Sequence, residues 1–199
     1  MPEWWTYGPG DFLLFSPRTY YRLIERYNAE FWPLHLVGVA AGISVLVLRR
    51  RSAPMGTRVV CAVLAVAWAW VGWAFLWRRY ATINWAAVYF AWGFAAEAAL
   101  LAAVAARPDR LRLSERQGPA AWIGTALLVL VLIYPLMAPL AGRPLSQSES
   151  FGMLPDPTAI ATLGLLVPAR GSALAALMVI PITWCLIAAG TWWVMASLT

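Results

Sequence analysis

Lysine is missing from this 199-residue chain, histidine occurs once and cysteine twice. Charge of either sign is scarce at 12% of residues, where a soluble domain of this size carries about twice that. One histidine, His35, excludes bis-histidine haem ligation by this chain and makes a poor transition-metal set. Cys61 and Cys185 lie inside apolar runs and form no CxxC pair, which argues against a disulfide framework or a zinc knuckle. The opening stretch, "MPEWWTYGPGDFLLFSPRTYYRLIERYN", lacks a positive leader followed by an apolar core and a small-residue cleavage site. The first spanning segment is therefore expected to direct insertion itself. No nucleotide loop, nucleophile constellation, paired carboxylates or histidine cluster stands out, so no catalytic residue, metal site or intrinsic cofactor is assigned.

What is present is apolar mass. Hydrophobic residues make up 62% of the chain and mean hydropathy is +0.67, with thirteen tryptophans. Many of these indoles close apolar runs, where an amphipathic ring sits at headgroup level. All fifteen basic residues are arginine and the net charge is +6. A GC-rich coding sequence accounts for the arginine bias, so it is not read as nucleic-acid binding. The charge instead suits cytoplasmic loops facing anionic lipid.

These features predict an all-α, polytopic integral membrane helix bundle with about six transmembrane helices. Residues 1–30 form an N-terminal segment in which Ser16-Pro17 starts a short amphipathic helix, its Tyr20, Leu23, Ile24 and Tyr27 interleaved with Arg18, Arg22, Glu25 and Arg26. That helix is expected to lie in the membrane interface, with packing on a partner protein as the alternative. Residues 31–199 form the bundle, with spans near 31–48, 59–76, 83–106, 119–141, 151–169 and 171–198. The fifth is the least regular. Pro155, Asp156 and Pro157 interrupt it, and the helix remaining after them is only about 20 Å long, short of the ~30 Å hydrocarbon layer. Pro181 lies inside the sixth.

Arginine counts set the orientation. Arg49, Arg50, Arg51 and Arg58 flank the first connection, and Arg107, Arg110, Arg112 and Arg116 the third. The opposite loops hold Arg78 and Arg79, then Arg143. That asymmetry puts the first and third connections in the cytoplasm and both termini on the periplasmic side of a bacterial inner membrane. Arg18, Arg22 and Arg26 weigh against it, and a re-entrant fifth segment would move the C-terminus inside.

Five residues are candidate ligand or ion contacts: Glu97, His35, Asp156, Asn84 and Tyr134. Glu97 lies within the third span, where an ionised carboxylate must face protein, a partner or water. It reads either as an ion, proton or substrate site, or as a neutral carboxyl whose neighbours Gly93, Ala96 and Ala98 allow close helix packing. His35 reads as a functional group or as a hydrogen-bond partner for an interfacial carboxylate or carbonyl. Asp156 is placed as an N-cap with Pro157 at the first helical position, and Pro155 holds Leu154 extended. Such non-helical backbone must line a cavity or be covered by protein. It is either a transporter-like broken helix or a helix start tucked against the bundle. Asn84 opens the third span, and Tyr134-Pro135 marks a kink late in the fourth.

The chain resembles an uncharacterised family of bacterial multi-pass membrane proteins. The resemblance runs through "ERYNAEFWPLHL" (25–36), "WAWVG" (68–72), "TINWAAVYF" (82–90), "YPLMAPLAG" (134–142), "FGMLPDPTAIATLGLL" (151–166) and "VIPITWCLIAAG" (179–190). It implies that Tyr27-Asn28, Trp32-Pro33, Asn84 and Tyr134-Pro135 organise the fold or a site. The chain departs from its relatives at Leu76 and Arg143, where many have histidine, and at Asp156, where cysteine is common. A metal or redox set built on those residues is therefore absent here.

Two functions remain. The first is a non-catalytic accessory or stabilising subunit of a larger membrane complex. Its contacts would be membrane lipids, pigment, other subunits or its own copies. The alternative is a small-solute or ion permease using an intramembrane carboxylate, with Glu97 and the broken fifth segment as its parts. A membrane enzyme ranks below both. Glu97→Gln separates the first two, because a permease would lose coupled flux while an accessory protein would not.

Overall fold

A computed structural model describes residues 15–49, 54–113 and 118–197. Arg50, Arg51 and Arg116 lie outside them. Among the described residues the chain forms eight α-helices: α1 Pro17–Glu30, α2 Leu34–Leu48, α3 Pro54–Trp70, α4 Ala87–Ala106, α5 Pro119–Ile133, α6 Met137–Leu140, α7 Pro155–Leu166 and α8 Leu174–Ser197. A π-helical turn, Val71–Trp77, prolongs α3, and a 3-10 turn, Tyr134–Leu136, joins α5 to α6.

Four helical stretches are long and apolar enough to cross a bilayer: Pro54–Thr82, Ala87–Ala106, Pro119–Leu140 and Leu174–Ala196. The bent pair of α1 and α2 raises the number to five if it counts as one span. Their outward faces carry large apolar side chains; Trp122 is 73% exposed and Trp193 68%. Such surfaces are stable against lipid and not against water. The protein is a polytopic helical membrane bundle. The expected six long helices are not all found: α2 has 15 residues and α7 only 12.

Ser16 begins α1 as read from the sequence, its hydroxyl accepting from the Thr19 backbone N–H at 3.3 Å with Pro17 in the first turn. Tyr20, Ile24, Tyr27 and Asn28 form the buried face at helical spacing, leaving Arg18, Arg22 and Arg26 exposed. The chain then turns through 92°, with a cis peptide between Trp32 and Pro33, into α2.

Two ends of the bundle are distinct. At one, Arg112 and Arg170 exchange backbone hydrogen bonds of 2.7 and 3.0 Å, and the Ala173 N–H donates to the Arg110 carbonyl. Arg49, closing α2, donates there to the Thr125 hydroxyl in α5. At the other, α1 lies over the ends of α3 and α8. It is tied by the Glu30–Arg79 ion pair, by Asn28 donating to the Ser146 and Ser148 carbonyls at 2.8 Å each, and by the Trp70 indole donating to the Tyr27 hydroxyl at 3.1 Å.

Helix α7 lies inside the bundle, with ten of its twelve residues buried. Threonine hydrogen bonds lock it. Thr158 accepts from the Gly152 N–H at 3.0 Å and donates to the Leu154 carbonyl, and Thr162 accepts from the buried Trp68 indole at 2.8 Å. Upstream, the Phe151 carbonyl packs onto Gly38 of α2, where a Cβ would come within 3.0 Å of its oxygen. The interrupted fifth segment is thus a non-helical stretch and a short helix, both held by neighbouring helices.

Candidate functional site

The site forms where that non-helical stretch meets α7. Pro155 takes the first helical position because it has no N–H to satisfy there, and it holds Leu154 extended at φ −126° and ψ 156°. This corrects one expectation. Leu154, not Asp156, is the N-cap residue, and Asp156 sits in the first turn. Freed from capping, the Asp156 carboxylate accepts two indole hydrogen bonds from α8, from Trp184 at 2.8 Å and from Trp192 at 3.1 Å. Asp156 is 6% exposed. The two indole donors satisfy one carboxylate oxygen each.

A second buried acid lies seven residues upstream. Glu149 is 3% exposed, and neither carboxylate oxygen has a hydrogen-bond partner. Burial pushes the Glu149 carboxyl well above its ordinary value of 4.5; the Asp156 carboxylate pushes the same way and the Arg143 guanidinium opposes both.

Trp192 separates two small cavities. One, of about 100 Å³, is lined by Tyr20, Tyr80, Asn84, Asp156, Trp184 and Trp192 among others. The other, of about 270 Å³, is lined by Tyr134, Met137, Ala138, Arg143, Glu149 and Trp192 together with Ala141. Arg143 is pinned by its planar face, 4.0 Å from the Tyr21 ring centroid and 5.6 Å from that of Trp192.

Three sequence candidates therefore converge: Asp156, Asn84 and Tyr134. Asn84 also shapes the turn just before α4, its side-chain oxygen accepting from the Ala86 N–H at 3.0 Å, while its amide donates to the Tyr80 hydroxyl at 3.2 Å. His35 stands one step away. Its Nε2 donates to Asn28 Oδ1 at 2.9 Å, and Asn28 holds the 146–148 backbone that leads to Glu149. Glu97 is not part of the site. It is fully buried beside Cys61 of α3, with both oxygens unpartnered, and lines neither cavity. Pro135 bends α5 toward the second cavity through the 3-10 turn, and Pro181 is buried in α8 one turn before Trp184. Among the described residues no group of three or more histidine, cysteine or acidic side chains could hold a metal ion.

Glu149, Arg143, Trp184 and Trp192 were not legible as site residues. The available signal was an acid and an arginine in a connection flanked by proline and glycine. Apolar surroundings supply the rest, and those come from other helices.

A pH dependence follows. Below 4.5 Glu149 is protonated in both folded and unfolded chains. Above that value the unfolded chain ionises freely while the buried carboxyl resists, so stability is lost as pH rises toward and through the folded pKa. The melting temperature in detergent is expected to fall over that window, and Glu149→Gln to flatten the fall. An unchanged slope in Glu149→Gln would show that the carboxyl ionises without penalty.

The chain belongs to a family of unknown function (DUF6064), whose model matches residues 18–196. No curated protein and no solved structure matches it.

Proposed function

We propose that this member of the family is a small-solute or ion permease whose binding site is formed by the two cavities flanking Trp192, one lined by Asp156 and the other by Glu149, at the broken start of α7. The observation that carries the proposal is the buried pair Asp156 and Glu149 on non-helical backbone and the first turn of a short helix. A buried carboxylate without a partner, as Glu149 is, costs several kcal/mol unless a proton, cation or ligand compensates it. Broken helices that carry such groups in a bilayer supply solute and ion sites.

In this reading residues 151–154 and α7 together make a further crossing, bringing the total to six with α2. Arg49, Arg58, Arg107, Arg110, Arg112 and Arg170 face the cytoplasm of a bacterial inner membrane, and the cavities open toward the periplasm, where both termini lie. The accessory-subunit reading rests on exposed apolar faces, which lipid covers equally well.

The test is flux in proteoliposomes of the purified protein, with an internal pH dye. Separate gradients of Na⁺, K⁺, methylammonium and glycine would be imposed. At least one is expected to drive flux above protein-free liposomes. Glu149→Gln and Asp156→Asn should lower that rate at least tenfold while the protein remains monodisperse, and Glu97→Gln should leave it unchanged. No flux with any probe, or a rate indifferent to both acids, would end the permease reading. A foreign subunit co-purifying at fixed stoichiometry would restore the accessory one.

A further inference from the structure

We infer that the 270 Å³ cavity takes a small zwitterion, with an ammonium group on Glu149 and a carboxylate on Arg143. This rests on the permease reading above and names the substrate class. Opposite charges line the cavity, yet they form no ion pair with each other; the one ion pair among the described residues joins Arg79 to Glu30. Glu149 keeps both oxygens unused at 3% exposure. Arg143 donates only one long hydrogen bond, 3.4 Å to the Gln147 carbonyl. Guanidinium presents five donors in a planar fork. Stacking on Tyr21 and Trp192 uses its face and leaves donors on its edge.

Glu149, buried and without a hydrogen-bond partner, is costly to ionise unless a cationic group answers it, and Arg143 keeps donors available for an anionic one. A ligand carrying both complementary charges compensates both. A simple cation would answer Glu149 but meet Arg143, and a simple anion would answer Arg143 but meet Glu149. The cavity lies below the roughly 300 Å³ at which pockets for drug-sized ligands begin, so the ligand is small. Tyr134 and Trp192 offer an O–H and an aromatic wall, and Met137 and Ala138 an apolar patch for a short side chain. As the ammonium group docks, one proton leaves the Glu149 carboxyl for water at the cavity mouth, and no covalent bond to the ligand forms or breaks.

The experiment is a thermal-shift titration of the full chain in detergent at matched ionic strength. Its probes are glycine, methylammonium chloride and sodium acetate. Glycine is expected to raise the melting temperature in a saturable way, and the two half-ligands to bind at least tenfold more weakly. Glu149→Gln and Arg143→Gln should each weaken glycine at least tenfold, and Arg143→Lys should recover part of the loss. Methylammonium matching glycine, with Arg143→Gln without effect, would make this a plain cation site and overturn the inference. Acetate matching glycine, or no shift with any probe, would overturn it equally. Saturable glycine binding without glycine flux would leave the zwitterion site standing and remove the permease. Flux of another probe without glycine binding would do the reverse.

Discussion

Asp156→Ala is expected to destabilise the protein by about 3–5 kcal/mol, because it strands two indole donors at once. Trp184 and Trp192 both donate to this one carboxylate. Truncation leaves both N–H groups without their protein acceptor. Asp156→Asn should cost about half as much. Its amide oxygen can accept from one indole, but its NH₂ then faces the other, donor against donor. Trp192→Phe should be milder still, since Asp156 keeps its bond to Trp184. A double-mutant cycle of Asp156→Asn with Trp192→Phe, read by melting in detergent, isolates the shared bond. If Asp156→Ala melts within about 1 kcal/mol of the parent, the carboxylate does not organise α7 against α8, and the site loses its scaffold.

The second large effect lies at the crossing of α5 and α7. Gly124→Val should prevent a stable fold, and even Gly124→Ala should cost about 1–3 kcal/mol by overpacking. A Cβ on Gly124 would come within 3.0 Å of the Gly164 carbonyl oxygen, with Pro168 side-chain carbons 3.0 and 3.1 Å away. Neither backbone nor a proline ring gives way cheaply. Small residues facing each other in this way let membrane helices approach closely, where dispersion replaces a hydrophobic driving force. Gly93→Ala and Gly190→Ala are the controls. A Cβ at either meets nothing within 4 Å, so helix propensity alone should stabilise them by about 0.5–1 kcal/mol. Equal melting of Gly124→Ala and these controls would mean that the α5–α7 contact is looser than described.

Both effects concern α7, the element least regular in the sequence. Its interruption by Pro155 and Pro157 was legible, because proline restricts backbone torsions and hydrogen bonding locally. The capping role read for Asp156 was not borne out, since the choice of first helical residue between two prolines depends on packing around Leu154. Glu97 was singled out for its place in an apolar run, and it is buried as that place requires. Nothing in the run shows that it faces Cys61, away from the two acid-lined cavities.

What the sequence by itself determined is the membrane class, the long apolar stretches that became α3, α4, α5 and α8, and the amphipathic start. Each follows from hydropathy or torsional preference summed over neighbours along the chain, against a fixed bilayer thickness. Only the tertiary structure decided the cavities. Tyr21, Arg143 and Trp192 stack on one another from three distant segments, and Asn28 reaches Ser148 across 120 positions. The bend of 92° after α1 carries the N-terminal aromatics over the end of α8, where they meet the connection bearing Glu149. Whether a loop acid is solvated or buried depends on which helices close over it. That is set by long-range packing in three dimensions, which no local pattern encodes.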